Sequence, residues 1–473
     1  MRKNALFSNQ NPLRKTLHKV AYGLLPALSI ASCIAASSCD SATKQGEQSG
    51  ASSTTSGLQA DQGNGDIQLP DAFGAIVVAD TIGRARHMVV RENGDIYVAL
   101  REPKDGGTIV ALRDTDKDGK ADQMERFGEY PGTGIDIRNG YLYFAPDSAV
   151  FRYQLTGNEL KPSGKFETIV SGLTSQRQHE AKSIAFDGQG NLYINIGAPS
   201  NACQEPDRQP GVKGQDPCPI LEYAGGIWRF KADQTNQTQK DGTRYATGIR
   251  NAVAIDWNKN ANNLYALQHG RDMLNPFWPT LYTEEQSVEL PSEEFMLVKE
   301  GSNFGWPYCY NDHQQNKKVL NPEYGGDGKK IDRCEGMDKP IMAFPGHWAP
   351  NDVLFYTGDM FPERYKNGAF IAFHGSWNRA PRPQAGYLVA FVPFNGGQPS
   401  GNYEVFAQGF TGTDTLRSPD AARYRPMGLA QGPDGSLYIA DSQKGRIWRV
   451  IYNGNTTATI SKEETEKVAV AGK

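Results

Sequence analysis

Apolar and polar residues alternate in six short runs along the chain, and each run includes or follows a turn that contains glycine or asparagine. The runs cover residues 93–98, 139–144, 190–194, 262–266, 367–371 and 434–439. A second β-rich run follows each of them, at residues 108–112, 150–155, 226–230, 295–298, 387–392 and 446–452. Alternation with a period of two beside such turns is typical of antiparallel hairpins. Six pairs of this kind predict an all-β fold, a six-bladed β-propeller of four-stranded antiparallel blades.

The predicted propeller covers residues 68–453, and residues 73–79 are expected to supply the outer strand that closes the last blade. The spacing between repeats widens at residues 198–245 and 270–365. Long loops should therefore cluster at one mouth of the ring, where we expect a functional site. Residues 454–473 are small and charged and are predicted to form a disordered tail.

The first 32 residues have the pattern of a lipoprotein-type export signal. Basic residues precede an apolar run, residues 20–31, that is too short to span a bilayer. Ile30-Ala31-Ser32-Cys33 resembles a lipobox, in which the cysteine is acylated; Cys39 is a second candidate, and a plain cleaved signal is the alternative. Residues 33–67 are predicted to form a flexible tether because they contain few large apolar side chains. We therefore expect an exported protein of the cell envelope, periplasmic or anchored to the outer membrane by its lipid alone.

Composition narrows the choice of partners and of compartment. The chain has 473 residues with 51 glycines, 28 prolines and a net charge of −3, and it has no basic stripe of the kind that binds nucleic acid. Four cysteines remain after the N-terminal segment: Cys203, Cys218, Cys309 and Cys334. In an exported chain they suggest disulfides, and Cys203–Cys218 with Cys309–Cys334 gives the shortest loops among three connectivities. The chain has no Cys-x-x-Cys-His motif for covalent haem.

The stretch 247–272 has a polar group at each end of a strand-like run. Arg250 and Asn251 stand at one end, and His269, Gly270, Arg271 and Asp272 stand at the other. If both ends face one axis, they could hold a planar, oxygen-rich anion. The alternative is a capped turn and a polar loop.

Two further clusters stand beside the repeats. His179, in Gln178-His179-Glu180, precedes the third repeat and is a candidate general base. Arg379 follows the fifth repeat, and Arg423 and Arg425 precede the sixth. Together with Arg250 these arginines could converge on an anionic ligand, because guanidinium groups bind carboxylates in bidentate fashion. The alternative is surface arginines paired with acids such as Asp420.

An acidic segment has the spacing of an EF-hand calcium loop. Asp114, Asp116, Asp118 and Glu125 stand at alternate and twelfth positions, with Gly119 at the turn. The flanking residues are strand-like rather than helical. A structural calcium and a solvated acidic hairpin turn are both compatible with this pattern.

Several longer stretches carry a family resemblance that covers residues 84–452. They are GNLYINIGAPSNACQ, RYATGIRNAVAIDW, QHGRD, FGWPYCY, FIAFHGSWNRAP and YRPMGLAQGPDGSLYIADS. Together they resemble the bacterial glucose/sorbosone dehydrogenases that use pyrroloquinoline quinone, and the sorbosone dehydrogenase branch in particular. That family has a six-bladed propeller with cofactor and substrate at the loop-rich mouth.

The resemblance implies a role for each matching residue. His179 corresponds to the catalytic base, Arg250 and Asn251 to residues that hold the quinone, and Gly270 and Arg271 to main-chain carbonyl ligands of the catalytic calcium. Arg423 and Arg425 correspond to a pair that clamps the cofactor carboxylates. We would then expect Arg250→Ala to weaken cofactor binding severely and Arg271→Ala to do little.

Two positions depart from the soluble glucose dehydrogenases of this family. Arg379 replaces a lysine, and Gln178 replaces an aspartate beside the histidine. A broader aldose or sorbosone-like aldehyde substrate is therefore expected, oxidised by hydride transfer to calcium-bound quinone, with a quinone or cytochrome as the electron acceptor. The alternatives are a calcium-dependent lactonase and a non-catalytic propeller that binds glycans or a partner.

Overall fold

The computed structural model describes residues 57–454. The predicted export signal, Cys33, Cys39, most of the tether and the tail from residue 455 lie outside the described residues. Within residues 57–454 the strands form six main sheets of four antiparallel strands each, blades 1 to 6. The prediction of an all-β six-bladed propeller is confirmed.

Each blade is given from its innermost strand outwards. Blade 1 consists of Ala85–Val90, Ile96–Lys104, Gly107–Arg113 and Gln123–Phe127. Blade 2 consists of Gly132–Arg138, Tyr141–Pro146, Val150–Gln154 and Glu167–Ser171. Blade 3 consists of Ile184–Phe186, Asn191–Ile196, Gly226–Lys231 and Thr243–Thr247.

The other three blades follow the same plan. Blade 4 consists of Ala254–Asn258, Asn263–Gln268, Glu293–Val298 and Met342–Phe344. Blade 5 consists of Pro350–Phe355, Ala369–Phe373, Leu388–Val392 and Glu404–Ala407. Blade 6 consists of Pro426–Gln431, Leu437–Asp441, Ile447–Tyr452 and Phe73–Ala79. Gln237–Thr238 and Ser302–Asn303 add short parallel strands to blades 2 and 3.

Short elements connect the blades. The α-helices are Leu274–Phe277 and Glu284–Glu289, and the small hairpins pair Cys309–Asp312 with Lys317–Leu320 and Phe394–Asn395 with Gln398–Pro399. The 3-10 turns are Gln62–Asp66, Pro219–Glu222, Gln239–Asp241, Pro322–Tyr324, Asp332–Gly336, Glu363–Tyr365 and Pro419–Ala421. In the described part of the chain, no helix has the length and apolarity needed to cross a membrane.

The ring is closed by its first strand. Phe73–Ala79 pairs antiparallel with Ile447–Tyr452, with Phe73 opposite Tyr452, so the predicted closure of the last blade is confirmed. Apolar clusters then fill the space between neighbouring blades. Between blades 5 and 6, for example, Phe73, Phe370 and Trp448 are buried together. Pairing and packing of this kind remove the free sheet edges and hold the blade ends in fixed positions.

The segment just before this strand is part of the propeller. The Asp61 amide donates to the Ala75 carbonyl at 2.9 Å, and the Asp61 carboxylate accepts from the Val77 amide at 2.8 Å. The Gly65 carbonyl accepts from Nε1 of Trp448 at 2.9 Å. Residues 61–65, which lie within the predicted tether, are therefore bound to the propeller by hydrogen bonds to distant strands, and their composition gives no sign of these bonds.

Strand direction brings the chemistry-bearing residues to one mouth. Consecutive strands run antiparallel, so the inner strand of each blade begins where its second strand ends. His179, Arg250 and Arg425 precede the inner strands of blades 3, 4 and 6, while His269 and His374 follow the second strands of blades 4 and 5. All five therefore lie at the same face of the ring.

Candidate functional site

A cleft of about 230 Å³ opens at this mouth between blades 3, 4 and 5. Its walls include His179, Arg208, Arg250, Asp272, Glu293 and Trp377. The volume is slightly below the range of about 300–1,000 Å³ that is usual for small-molecule sites. The cleft is therefore of the size that suits small molecules rather than a polymer chain or a peptide.

Asp272 is the centre of the polar network in the cleft wall. Its Oδ2 accepts hydrogen bonds from Nη2 of Arg250 at 2.7 Å and from Nη2 of Arg208 at 2.8 Å, and its Oδ1 accepts from Nδ2 of Asn378 at 3.1 Å. Burial alone would raise the pKa of Asp272, but Arg250 and Arg208 outweigh burial and hold the pKa below its ordinary value. Asp272 is therefore ionised, and it neutralises much of the positive charge in the cleft.

The two predicted calcium ligands lie beside this network. The Gly270 carbonyl accepts from Nη1 of Arg250 at 2.9 Å, and the Gly270 amide donates to Oε2 of Glu293 at 2.9 Å. Glu293 also accepts from the Ala349 amide, and burial raises its pKa to about 8. The Arg271 side chain turns away and is buried against Glu323, with Nη1 2.6 Å from Oε2.

His179 has the geometry of a general base. Its Nδ1 lies 2.5 Å from the carbonyl oxygen of Ala198, and because a carbonyl only accepts, Nδ1 carries the proton. Nε2 is therefore the nitrogen with the open lone pair. Burial lowers the pKa of His179 well below its ordinary value, and the nearby Arg250 lowers it further. The imidazole is neutral over the physiological range and able to accept a proton.

The backbone that carries His179 is tightly constrained. His179 has a φ of 55°, in the left-handed region that is uncommon for residues other than glycine. Nε2 of Gln176 donates to the carbonyl of His179 at 3.0 Å and to that of Gly197 at 2.6 Å. A Cβ on Gly197 would lie 2.7 Å from the His179 carbonyl oxygen. The loop can thus hold this histidine in place only if residue 197 lacks a side chain.

Gln178 is engaged by a loop that the sequence did not connect with it. Its Nε2 donates to Oδ2 of Asp207 at 2.9 Å, and its Oε1 accepts from Nε of Arg208 at 3.3 Å. Asp207 and Arg208 lie in the loop closed by the disulfide Cys203–Cys218. The structure also pairs Cys309 with Cys334, which is the connectivity with the shortest loops.

The four predicted arginines do not converge. Arg250 lines the cleft. Arg379 is buried outside it, where Nη1 donates to the Val288 carbonyl at 2.9 Å and Nη2 lies 2.6 Å from Oε1 of Glu289. These contacts are at the C-terminal end of the helix Glu284–Glu289, where a cation is favoured by the helix dipole. The Arg379 side chain therefore does not line the cleft in this structure.

Arg423 also lies away from the cleft. It borders a separate open depression on blade 6 and pairs with Asp66 at 3.2 Å. Arg425 stays at the mouth, where Nη2 donates to the Gly375 carbonyl at 2.9 Å. Arg423 and Arg425 thus have different surroundings, because a partner from the distant N-terminal segment holds Arg423 outward.

The cleft fits the cofactors that the resemblance implies. Several buried side-chain atoms of residues 57–454 have no hydrogen-bond partner, and they include three at or next to the cleft wall: Nε of Arg250, Oδ1 of Asn251 and Oδ1 of Asn378. A buried polar group without a partner costs about 1–3 kcal/mol, so these atoms suit a ligand with both donors and acceptors, as a polycarboxylated quinone has. The Gly270 carbonyl and the Asp272 carboxylate, both hydrogen-bonded to Arg250, are oxygen ligands of the kind that Ca²⁺ prefers.

The acidic loop brings together a set of carboxylates that differs from the predicted set. Oxygen atoms of Asp114, Asp116 and Asp122 lie within 4.8 Å of one another. Asp118 instead accepts from the Lys120 amide at 2.7 Å, and Glu125 lies on the outer strand of blade 1. Asp122 stands in the close group in place of Asp118 and Glu125, because the chain continues into a strand after Gly119, whereas an EF-hand loop continues into a helix.

Three residues of the site were missed in the sequence. Asp272 stands in the quoted stretch 247–272 but was given no role, although its carboxylate balances the cations there. Arg208 had one usable signal, its position between two cysteines. Glu293 had none, since it lies within an ordinary β-strand run.

A family model described as TrAA12-like matches residues 67–453. An uncharacterized protein of Borreliella burgdorferi is 24% identical over 407 residues, which cover 84% of this chain and 93% of that protein. A pyrroloquinoline quinone-dependent pyranose dehydrogenase of Coprinopsis cinerea is 28% identical over 280 residues, 50% of this chain but only 36% of that enzyme.

Solved structures agree on the fold. The calcium structure of a Trichoderma reesei carbohydrate-active enzyme of family AA12 superimposes with a TM-score of 0.66 at 18% identity, over 84% of this chain and 99% of that chain. At this identity the likeness shows a shared architecture. The match of the family model over nearly all of the described residues shows more, and this chain belongs to the TrAA12-like family.

Proposed function

We propose that this protein is a quinoprotein oxidoreductase that oxidises a sugar or sugar aldehyde, with pyrroloquinoline quinone and Ca²⁺ as cofactors. The observation that carries the proposal is the state of His179. Its Nδ1 proton is held by the Ala198 carbonyl, which leaves Nε2 unprotonated in a cleft lined by Arg250 and Asp272. A neutral imidazole held in this way can take the proton of a substrate hydroxyl.

The chain's own residues divide the remaining work. Pyrroloquinoline quinone, when bound, supplies the acceptor for the two electrons and the hydrogen that leave the sugar carbon. Arg250, Asn251 and Arg425 would hold it, and the carbonyls of Gly270 and Arg271 would hold Ca²⁺. Arg250 has a second effect, because its charge helps to keep His179 unprotonated.

The relatives support this reaction class. The Coprinopsis protein is named a pyrroloquinoline quinone-dependent pyranose dehydrogenase, and a Trichoderma neighbour in fold is a calcium structure. The match covers little more than a third of the Coprinopsis enzyme, so substrate and acceptor do not carry over from it. A quinone or a cytochrome as acceptor remains our proposal.

The proposed preference among sugars has two sources. The sorbosone-like preference comes from the resemblance to the bacterial glucose/sorbosone dehydrogenases and from the two departures at Gln178 and Arg379. Arg379 is buried against Glu289 away from the cleft. Gln178, which lines the cleft beside His179, is therefore the departure that bears on the substrate.

Reconstitution tests the proposal. The purified protein is loaded with quinone plus Ca²⁺, quinone plus a chelator, or Ca²⁺ alone, and reduction of a dye is measured with a panel of aldoses and aldehydes. We expect turnover only with quinone and Ca²⁺, and we expect its loss in His179→Gln. His313→Gln is the matched control, because His313 does not line the cleft. Absence of dye reduction with every substrate would overturn the proposal.

The cleft gives less support to the hydrolase alternative, which needs several carboxylates around one metal. Among residues 57–454, at least three His, Cys or carboxylate ligand atoms come close together at Asp114, Asp116 and Asp122. None of these three residues lines the cleft. Lactone hydrolysis without added quinone would be the contrary result.

We also propose that the protein is exported and lipid-anchored. Two disulfides support an oxidising compartment, and the residues around Cys33 fit a lipobox. Membrane fractionation of Cys33→Ala and Cys39→Ala tests this, because loss of the acylated cysteine should release the protein. If both variants stay with the membrane, the lipid anchor is wrong.

A further inference from the structure

A second group of cations borders the mouth on the side away from Asp272. Arg84 and Arg86 stand where the inner strand of blade 1 begins, and Arg101 stands near the end of the second strand. The Arg101 amide donates to the Arg84 carbonyl at 2.9 Å, which fixes the two backbones side by side. We call Arg84, Arg86 and Arg101 the blade 1 arginine group.

Arg86 lacks an ion-pair partner. Its Nε donates to Oγ1 of Thr133 at 3.0 Å, and its Nη1 donates to the sulfur of Met427 at 3.5 Å. Among the residues that the structure describes, no carboxylate oxygen lies within 4.0 Å of its guanidinium. The side chain is partly buried, and this desolvation together with Arg101 lowers the pKa of Arg86 to about 10. A partly buried cation without a counter-ion is costly unless an anion joins it.

The acids near this group are too few and too distant to neutralise it. Glu180 lies 3.8 Å from Arg101, and both side chains are largely exposed. Asp147 and Glu180 are the carboxylates that act on Arg86. Both also act on Lys182, whose buried Nζ donates to the Glu180 carbonyl at 2.7 Å. Asp147 and Glu180 thus act on both Arg86 and Lys182, and neither carboxylate forms an ion pair with Arg86.

Two residues that neighbour the cleft wall in the chain, Glu180 and His374, connect the group with the cleft. Glu180, the partner of Arg101, directly follows His179, which lines the cleft. On the other side, Arg86 and Arg101 both act on the imidazole of His374, and His374 directly precedes Gly375, another residue of the cleft wall. The group and the cleft therefore border the same mouth of the ring, and a ligand that extends from His179 toward blade 1 would approach these cations.

We propose that the blade 1 arginine group, with Arg86 at its centre, is a subsite for the carboxylate of the substrate, so that the preferred substrates are acidic sugars such as uronic acids. This inference rests on the proposed function. Arg250, Asn251 and Arg425 are the proposed quinone contacts on blades 4 and 6, and this leaves blade 1 for the other ligand. A guanidinium without a carboxylate partner binds a ligand carboxylate through charge-assisted hydrogen bonds. The neutral Gln178 beside His179 adds no repulsion against such an anion.

The test compares two sugars that differ by one carboxylate. The holoprotein, reconstituted with quinone and Ca²⁺, is assayed with glucose and with glucuronate. We expect kcat/KM to be higher for glucuronate, and Arg86→Ala to lower it for glucuronate by about 10- to 100-fold with little change for glucose. Arg86→Lys should keep part of the preference. Arg382→Ala is the matched control, because Arg382 is an exposed arginine paired with Glu285 away from the cleft.

Further measurements separate this inference from the proposed function. If the ratio of kcat/KM for glucuronate to kcat/KM for glucose is the same in the native protein and in Arg86→Ala, the subsite is refuted. The proposed dehydrogenase function is not affected by that result. The subsite would also be refuted if absorbance measurements show that Arg86→Ala binds quinone more weakly and that this weaker binding explains its whole effect on kcat/KM for glucuronate. If no sugar is oxidised, calorimetric titration of the native protein and Arg86→Ala with glucuronate still decides the subsite: equal heats would refute it. Arg101→Ala repeats the test should Arg86→Ala fail to fold.

Discussion

Arg250 and Asp272 form a buried ion pair, with Nη2 of Arg250 2.7 Å from Oδ2 of Asp272. They stand at the two ends of the stretch that contains Ala254–Asn258 and Asn263–Gln268, and the antiparallel pairing of these strands brings the ends together. Asp272→Ala would leave Arg250 and Arg208 facing each other without their shared carboxylate. We expect a loss of about 3–5 kcal/mol of unfolding free energy, measured by urea denaturation.

The control for this variant is an exposed pair of the same chemistry. Arg229 lies 2.8 Å from Glu300, which is largely exposed. Glu300→Ala should cost less than about 1 kcal/mol, as exposed ion pairs usually do. If Asp272→Ala is no more destabilising than Glu300→Ala, Asp272 does not hold the cleft together.

Arg271 behaves differently from what the sequence predicts. Its backbone carbonyl is the proposed calcium ligand, so the resemblance predicts little effect of Arg271→Ala. The structure shows that the side chain is 2% exposed and paired with Glu323, which is 0% exposed. Because Arg271→Ala would strand a buried carboxylate, we expect a loss of several kcal/mol in urea denaturation. Arg271→Ala combined with Glu323→Leu should recover much of it; failure of this rescue would mean that the pair is not the cause.

The fold could be predicted from the sequence because its signal is local. Each blade repeats a turn followed by a strand in which apolar and polar residues alternate. This pattern can be recognised from one short segment of the sequence alone. Arg423 shows where local reasoning stops. Arg423 and Arg425 are two residues apart and were expected on one side, yet Asp66 holds Arg423 at 3.2 Å from far away in the sequence. Arg379 is diverted in the same way, by Glu289. Side-chain direction at a strand end depends on partners that only the folded chain brings near.

Three carboxylic acids on inner strands should make stability depend on pH. Burial raises the pKa of Asp136 to about 6 and that of Asp256 to about 7, and it raises the pKa of Asp352 well above its ordinary value. Between the unfolded value near 4 and these values, the folded state keeps protons that the unfolded state has lost. These groups therefore lower the unfolding free energy as pH rises through this window.

The variant Asp256→Asn isolates one of these acids. The amide has no charge to bury, so the variant should gain stability relative to the native protein as pH rises from about 4 to about 7, by up to about 1.4 kcal/mol per pH unit. Urea denaturation at four pH values across the window measures this difference. Glu92→Gln, at an exposed position, should run parallel to the native protein. Parallel curves for Asp256→Asn would show that Asp256 is ionised in the folded state.

His179 should set the acid limb of the pH profile of sugar oxidation. Burial and Arg250 lower its pKa well below the ordinary value, so the base keeps its lone pair at pH values where a free histidine is already protonated. We therefore expect kcat/KM to stay level from pH 8 down through 6.5 and to fall only below that. His179→Gln should lower kcat by about 10²- to 10⁴-fold, the usual contribution of a general base.

Arg250→Lys keeps a cation near His179 and should leave the acid limb at low pH, whereas Arg250→Ala removes that cation and should move the acid limb toward neutral pH. A profile that falls near pH 6.5 in the native protein would mean that His179 is not the base, or that it is not held as the structure shows.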